Sequence, residues 1–248
     1  MAHARRNRRG ASRRAQRNRY GFRSVGTRAT LPIMTLVFDD ARTAPAYFEF
    51  LKPQVRQHVV LRIVTAPTGG ASPRKVVERA SHLQRELRRD QAANERNRDS
   101  TWALFDMEHT PHQRDQANEA IKLAEKKSIS VAISDPCFEV WTLLHLDDTG
   151  RGFDNCDQVR ARIAKLWSNE FGQPFDSKAN ADYSLILPRR NDAARRARRH
   201  WERQDPSRTE VFRIIEEVER HVGVGGASND VTSTRSGGKP AGSKKTNN

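Results

Sequence analysis

The chain has 248 residues, of which 35% are hydrophobic, and carries a formal net charge of +15. That length supports one domain with a sizeable core, while the low apolar share leaves part of the chain outside it. No apolar stretch approaches the roughly 20 residues of a membrane span and no signal-type apolar region follows the basic start, which argues against a membrane or secreted protein and for a cytoplasmic one.

The charge is unevenly spread. Residues 1–30 contain ten arginines and no acid, and residues 224–248 contain four basic residues and one aspartate, which leaves only +2 for residues 31–223. The first segment reads as a disordered polycation in which Tyr20 and Phe22 are placed to stack on bases, so its natural partner is nucleic acid and its binding should weaken steeply with salt. The last segment, rich in Gly, Ser, Thr and Lys, is expected to be disordered. The two cysteines, Cys137 and Cys156, are too few for a disulfide framework and are expected to be reduced, with Cys137 buried.

From Leu31 onward, strand and helix signals alternate. Residues 32–38, 59–65, 101–105 and 129–134 are short runs rich in apolar and β-branched residues, each bounded by turn or polar residues. Helical segments lie between them. Thr43 is placed to cap one running through Tyr47, Phe48 and Leu51. Ser72-Pro73 and Thr110-Pro111 each pair a capping residue with proline at the first helical position. This β-α-β-α-β-α-β order predicts an α/β fold, with a parallel sheet of about four strands flanked by helices. Beyond Ile133 the chain becomes mainly helical, with segments at Pro136–Leu146, Asp154–Phe171, Ala181–Arg203 and Ser207–Val222, the last opened by a Ser207/Glu210 capping box. The expected organisation is a tail at 1–30, an α/β core at 31–146, a helical extension of the same domain at 147–223 and a second tail at 224–248.

Two acidic clusters directly follow strand signals: Asp39 and Asp40 after the first, and Asp106 and Glu108 after the third. In a parallel sheet these acids gather at the edge where open α/β folds bind ligands, and grouped hard oxygens there suit Mg²⁺. The alternative is a solvated turn at a strand end, where Asp is common. His109 and His112 read as surface histidines near such a site rather than Zn²⁺ ligands, for which this segment supplies too few partners. Arg189, Arg190, Arg195, Arg196, Arg198 and Arg199 spread over much of a helix circumference, which suits a polyanion better than pairing with a few acids. Thr68-Gly69-Gly70 is a turn rather than a phosphate-cradling loop, so any ATP hydrolysis belongs to a separate partner.

The run Ser134-Asp135-Pro136-Cys137-Phe138-Glu139-Val140-Trp141-Thr142-Leu143-Leu144-His145 closely resembles the signature of the RloB-like family, a Ser-Asn-Pro-Cys-Phe-Glu-x-Trp core leading into Leu-Leu-His. Phe105-Asp106-Met107-Glu108-His109 resembles that family's Phe-Asp-Arg-Asp-x-His element. Phe38 to Phe48 resembles its Cys-Glu-Gly-Glu-x-Thr-Glu-Pro-x-Tyr-Phe element. The resemblance spans about residues 31–222.

It implies a Toprim-like sheet and a Mg²⁺-dependent (or Mn²⁺-dependent) nuclease of restriction and phage-defence loci, acting by abortive infection with an ATPase partner. Asp39 would then be the general acid or base, and Asp106 and Glu108 the metal-holding pair. Glu139 would be a further ligand, a residue behind the ligands, or a buried acid paired with an arginine. Lys178, in a position where family members often carry a lysine, would join Arg189, Arg190, Arg195 and Arg196 in contacting nucleic acid. The chain departs from the family pattern in having Asp39 for Glu, Glu108 for Asp, and Ala41 and Ala44 for two acids. Those losses leave a second reading open, a catalytically degenerate nucleic-acid-binding or assembly subunit.

Overall fold

The inner strands are buried on both faces, and their successive side chains point to opposite sides of the sheet, which sorts the helices between the two faces. The computed structural model describes residues 30–65, 70–90, 98–107, 110–149, 152–176 and 181–227. Its strands are β1 (Ile33–Phe38), β2 (Val60–Val64), β3 (Ser100–Asp106), β4 (Ser130–Asp135) and β5 (Arg208–Thr209). They form one sheet in the order β2-β1-β3-β4-β5, with β1 to β4 parallel and β5 antiparallel to β4. The described helices are α1 (Thr43–Val55), α2 (Pro73–Asp90), α3 (Pro111–Lys127), α4 (Glu139–Leu146), α5 (Cys156–Phe171), α6 (Arg190–Glu202) and α7 (Val211–Ala227).

Val37, Ala103, Phe105 and Ile133 share one core with Val76, Val77, Ala80 and Leu83 of α2 and Ala117, Ala120 and Ala124 of α3. Their neighbours along the strands, Leu36, Phe38, Trp102, Leu104 and Ala132, face the opposite way into a larger core. Tyr47 and Phe48 of α1, Trp141 of α4, Trp167 of α5, Ala197 of α6 and Ile215 of α7 fill that side. The helices beyond Ile133 therefore complete the sheet's second layer. Among the described residues, no helix is long and apolar enough to cross a membrane.

This division follows from chain direction. The connection from β1 runs outward to β2 and the one from β3 runs outward to β4, so right-handed crossovers put α1 and α3 on opposite faces. The carboxyl ends of β1 and β3 become neighbours at the point where the winding reverses, which is where open α/β sheets form a crevice.

Local chemistry fixes the helix ends, in three places differently from the sequence expectation. Thr110 caps α3 as predicted, its Oγ1 accepting from the Gln113 amide at 3.3 Å. Thr43 does not cap α1. It is the first helical residue, and the Asp40 carboxylate accepts from its amide at 2.8 Å and from that of Arg42 at 3.3 Å. A charged acceptor three residues upstream takes the role expected of the hydroxyl.

The Ser207/Glu210 capping box does not form either. Ser207 Oγ accepts from the Phe153 amide at 2.9 Å, and residues 208–209 are drawn into β5, where the Glu210 amide donates to the Ile133 carbonyl at 2.8 Å. The predicted helix over Ala181–Arg203 begins instead as two 3-10 turns, Tyr183–Leu185 and Leu187–Arg189. Asp182 accepts from the Ser184 amide at 3.1 Å, and Pro188 has no amide to donate, which delays the α-helix to Arg190.

Candidate active site

Asp39 leaves β1 as Asp106 ends β3, and the register of the two strands brings them together. The Asp39 amide donates to the Leu104 carbonyl at 3.2 Å, and its carboxylate Oδ2 accepts from the Asp106 amide at 3.1 Å. The Asp39 carbonyl accepts from the Ala71 amide at 2.9 Å. There the loop after β2 turns at Gly70 with φ of +85°, a backbone shape that strongly favours glycine. Three segments are thus pinned around one acid.

Beside it lies a cavity of about 130 Å³ lined by Asp39, Asp40, Asp106, Glu139, Ser134 and Arg160, among others. Asp40 stands at its edge. One carboxylate oxygen caps α1, while the other, Oδ1, is buried without a hydrogen-bond partner. Burial pushes the Asp40 carboxyl above its ordinary range and the nearby Glu139 charge adds to this, while the α1 amides pull the other way.

Glu139 opens α4 and is 2% exposed. Its Oε1 accepts from Arg160 Nε of α5 at 2.7 Å, and Arg160 Nη1 also reaches Asp157 at 3.2 Å. Of the three readings the sequence left open for Glu139, this geometry displays the arginine pair. Cys137, two residues earlier, is buried, and both cysteines are free thiols. Contact with Cys156, burial and the acids Glu139 and Asp106 all push the Cys137 thiol up. Asp135 is held by Arg114 through two bonds of 3.0 and 2.7 Å.

The structure therefore gathers Asp39, Asp106 and Glu139 at one cavity, with Asp40, which the sequence placed in the first acidic cluster without a role of its own, and Arg160, which sequence reasoning did not select. Arg160 carried a usable signal. It lies on α5 beside the buried stripe of Val159, Ile163 and Trp167, where a long cation can follow the apolar edge inward. Glu108, His109 and Lys178 lie outside the described residues, as does the N-terminal segment through residue 29. Among the described residues no group of three or more His, Cys, Asp or Glu side chains is arranged to hold a metal ion by itself.

The arginines expected to contact nucleic acid each have a partner within the fold. Arg189 pairs with Glu170, Arg190 with Glu219 and Arg195 with Asp192, while Arg196 donates to the Leu144 carbonyl at 2.8 Å. Arg198 and Arg199 pair with Glu216 and Asp148. The acids that neutralise them come mostly from distant segments, which a single helix cannot reveal.

A family model described as RloB-like protein matches residues 34–218. The chain belongs to the RloB-like family. Searches of curated proteins and of solved structures found no match. The match to the RloB-like model runs from β1 into the first half of α7, so every residue lining the acid-lined cavity falls inside the family region.

Proposed function

We propose that this RloB-like protein is a Toprim-type, Mg²⁺-dependent nuclease that cleaves phosphodiesters of nucleic acid in antiphage defence, with an ATPase as its partner. The observation that carries the reading is the meeting of Asp39 and Asp106 at the point where the winding of the parallel sheet reverses, linked at 3.1 Å. The donor set suits the ion. Mg²⁺ is commonly held by one or two carboxylates, with waters and substrate phosphate completing its shell, so Asp39 and Asp106 suffice without a closed protein cage. Glu108, two residues beyond Asp106 in the sequence, would be the third donor. When bound, the ion supplies neutralisation of phosphate charge and activation of the attacking group.

The protein's own part is positional. Asp106 ends β3 and is fixed by the strand pairing, while the Asp39 carboxylate is steered by the Asp106 amide it accepts from. Asp39 would hold or release a proton at the attacking or leaving oxygen. The cavity walls of Leu104, Phe105 and Phe138 limit water access and strengthen the charges inside.

The degenerate-subunit reading draws on Ala41 and Ala44, where family members carry acids. A cleavage assay in Mg²⁺ and in Mn²⁺ separates the two. The nuclease reading expects Asp106→Ala to lose activity on the order of a hundredfold. Equal cleavage by both proteins, or cleavage by neither under any metal or partner condition, would refute it. Salt-dependent nucleic-acid binding that survives the substitution would then favour the subunit.

A further inference from the structure

We propose that Arg160 is the residue that grips substrate phosphate in the acid-lined cavity, and that Glu139 is the positioning residue that holds its guanidinium there. This rests on the phosphodiester reading above and names the cationic side chain that would contact its substrate. Four carboxylates, Asp39, Asp40, Asp106 and Glu139, line the cavity, and Arg160 is the one lysine or arginine among the described lining residues. A phosphate entering an acid-lined space is repelled unless fixed positive charge meets it.

The other nearby arginine is committed. Both terminal nitrogens of Arg114 are spent on Asp135. Arg160 is held differently. Its Nε is fixed by Glu139 at 2.7 Å, its Nη1 reaches Asp157 at 3.2 Å, and Nη2 has no hydrogen bond to any described residue. The two anchors are unequal, because the Glu139 side chain is 3% exposed and that of Asp157 is 92% exposed. Water competes freely for the second, so Nη1 can exchange Asp157 for a phosphate oxygen while Nε stays fixed. The result is a guanidinium edge of two donors, with the planar fork that matches phosphate.

The arrangement also explains the pair itself. A buried carboxylate with a half-exposed arginine gains little stability over an apolar pair of similar volume. Here it gives the cation a set orientation at the cavity wall, which a lone surface arginine lacks.

The test uses the full-length chain and inorganic phosphate as probe, with affinity read by ³¹P NMR line broadening in the presence of Mg²⁺. Arg160→Lys keeps the charge and loses the fork; it should weaken phosphate binding about tenfold, and Arg160→Ala more. Glu139→Gln, which leaves Arg160 intact, should weaken it by a smaller factor. Far-UV circular dichroism and thermal unfolding confirm that each variant compared is folded, and Arg160→Lys serves if Arg160→Ala does not fold. Wild-type affinity retained in folded Arg160→Lys, or no phosphate binding by the wild type, overturns the proposal. Phosphate binding that depends on Arg160 in a protein that cleaves nothing would sink the nuclease reading while leaving this assignment standing.

Discussion

His145 gives the fold a pH dependence whose size follows from its surroundings. It is 1% exposed on α4, its ring 4.8 Å from that of Trp141 and 5.5 Å from that of Tyr47. Nδ1 donates to the Trp141 carbonyl at 2.9 Å, which leaves Nε2 to accept from the Tyr47 hydroxyl at 3.2 Å. One neutral tautomer satisfies both bonds. Burial, which outweighs the opposing Trp141 carbonyl, pushes the imidazole down to about 3, and the charges of Arg196 and Arg189 act in the same direction.

The folded-state value therefore lies below the unfolded value of about 6.5, so the stabilisation is present above pH 6.5 and is lost as pH falls toward 3. Between pH 7.5 and 5 the unfolded chain takes up nearly one proton at this residue and the folded chain almost none, which costs about 2 kcal/mol. Urea unfolding followed by tryptophan fluorescence at the two pH values reads this directly. His145→Gln, neutral throughout, should start less stable by about 1–3 kcal/mol, having lost its ring contacts, yet lack this part of the fall. Asp40 and Glu210, both raised by burial, contribute equally to wild type and variant and cancel in the difference. Parallel pH profiles for the two proteins would refute the assignment of a buried neutral imidazole.

Three further outcomes test the ion pairs and the packing. Arg114→Ala strands the Asp135 carboxylate, 10% exposed, and should cost about 2 kcal/mol in urea unfolding; this falls short of a fully buried pair because Arg114 is itself 40% exposed. Arg195→Ala, which breaks a pair exposed at both ends, should stay within about 0.5 kcal/mol. Ala103→Leu, at a fully buried position in the β3 face that meets α2 and α3, should lower stability by about 1–3 kcal/mol through overpacking, with helical circular dichroism kept at 25 °C.

The sheet could be read from the sequence because each inner strand is a short apolar run with one acid or turn residue behind it, and the period of two assigns faces without tertiary knowledge. The meeting of Asp39 with Asp106 could be read for the same reason, since crossover handedness makes β1 and β3 neighbours once the strands are placed. Strand β5 could not. Two residues carry no periodicity, and Arg208–Thr209 pairs with β4 because the Glu210 amide and carboxylate both bond Ile133. The ion pairs made by Arg189 and the arginines of α6 could not be read either. A helical wheel shows their spread but not Glu170, Glu216, Glu219 or Asp148, which reach them only after α5, α6 and α7 have packed on the sheet.

The same distinction bears on the missing acids. Ala44 is 4% exposed and lines the cavity, so an acid there would project into the space that Asp40 borders. Asp40 stands where the RloB-like element has glycine, and it brings a carboxylate to this cavity from the strand end rather than from the helix. Its second oxygen is buried with no partner, an arrangement that typically costs about 1–3 kcal/mol. A subunit needing only a basic surface gains nothing from that cost, and an asparagine could cap α1 as well. A site that gathers cations does gain, because a carboxylate oxygen with no hydrogen-bond partner can meet an incoming cation. On that reasoning the acids absent at positions 41 and 44 mark a rearranged site under the proposed function, with Asp40 carrying part of the load.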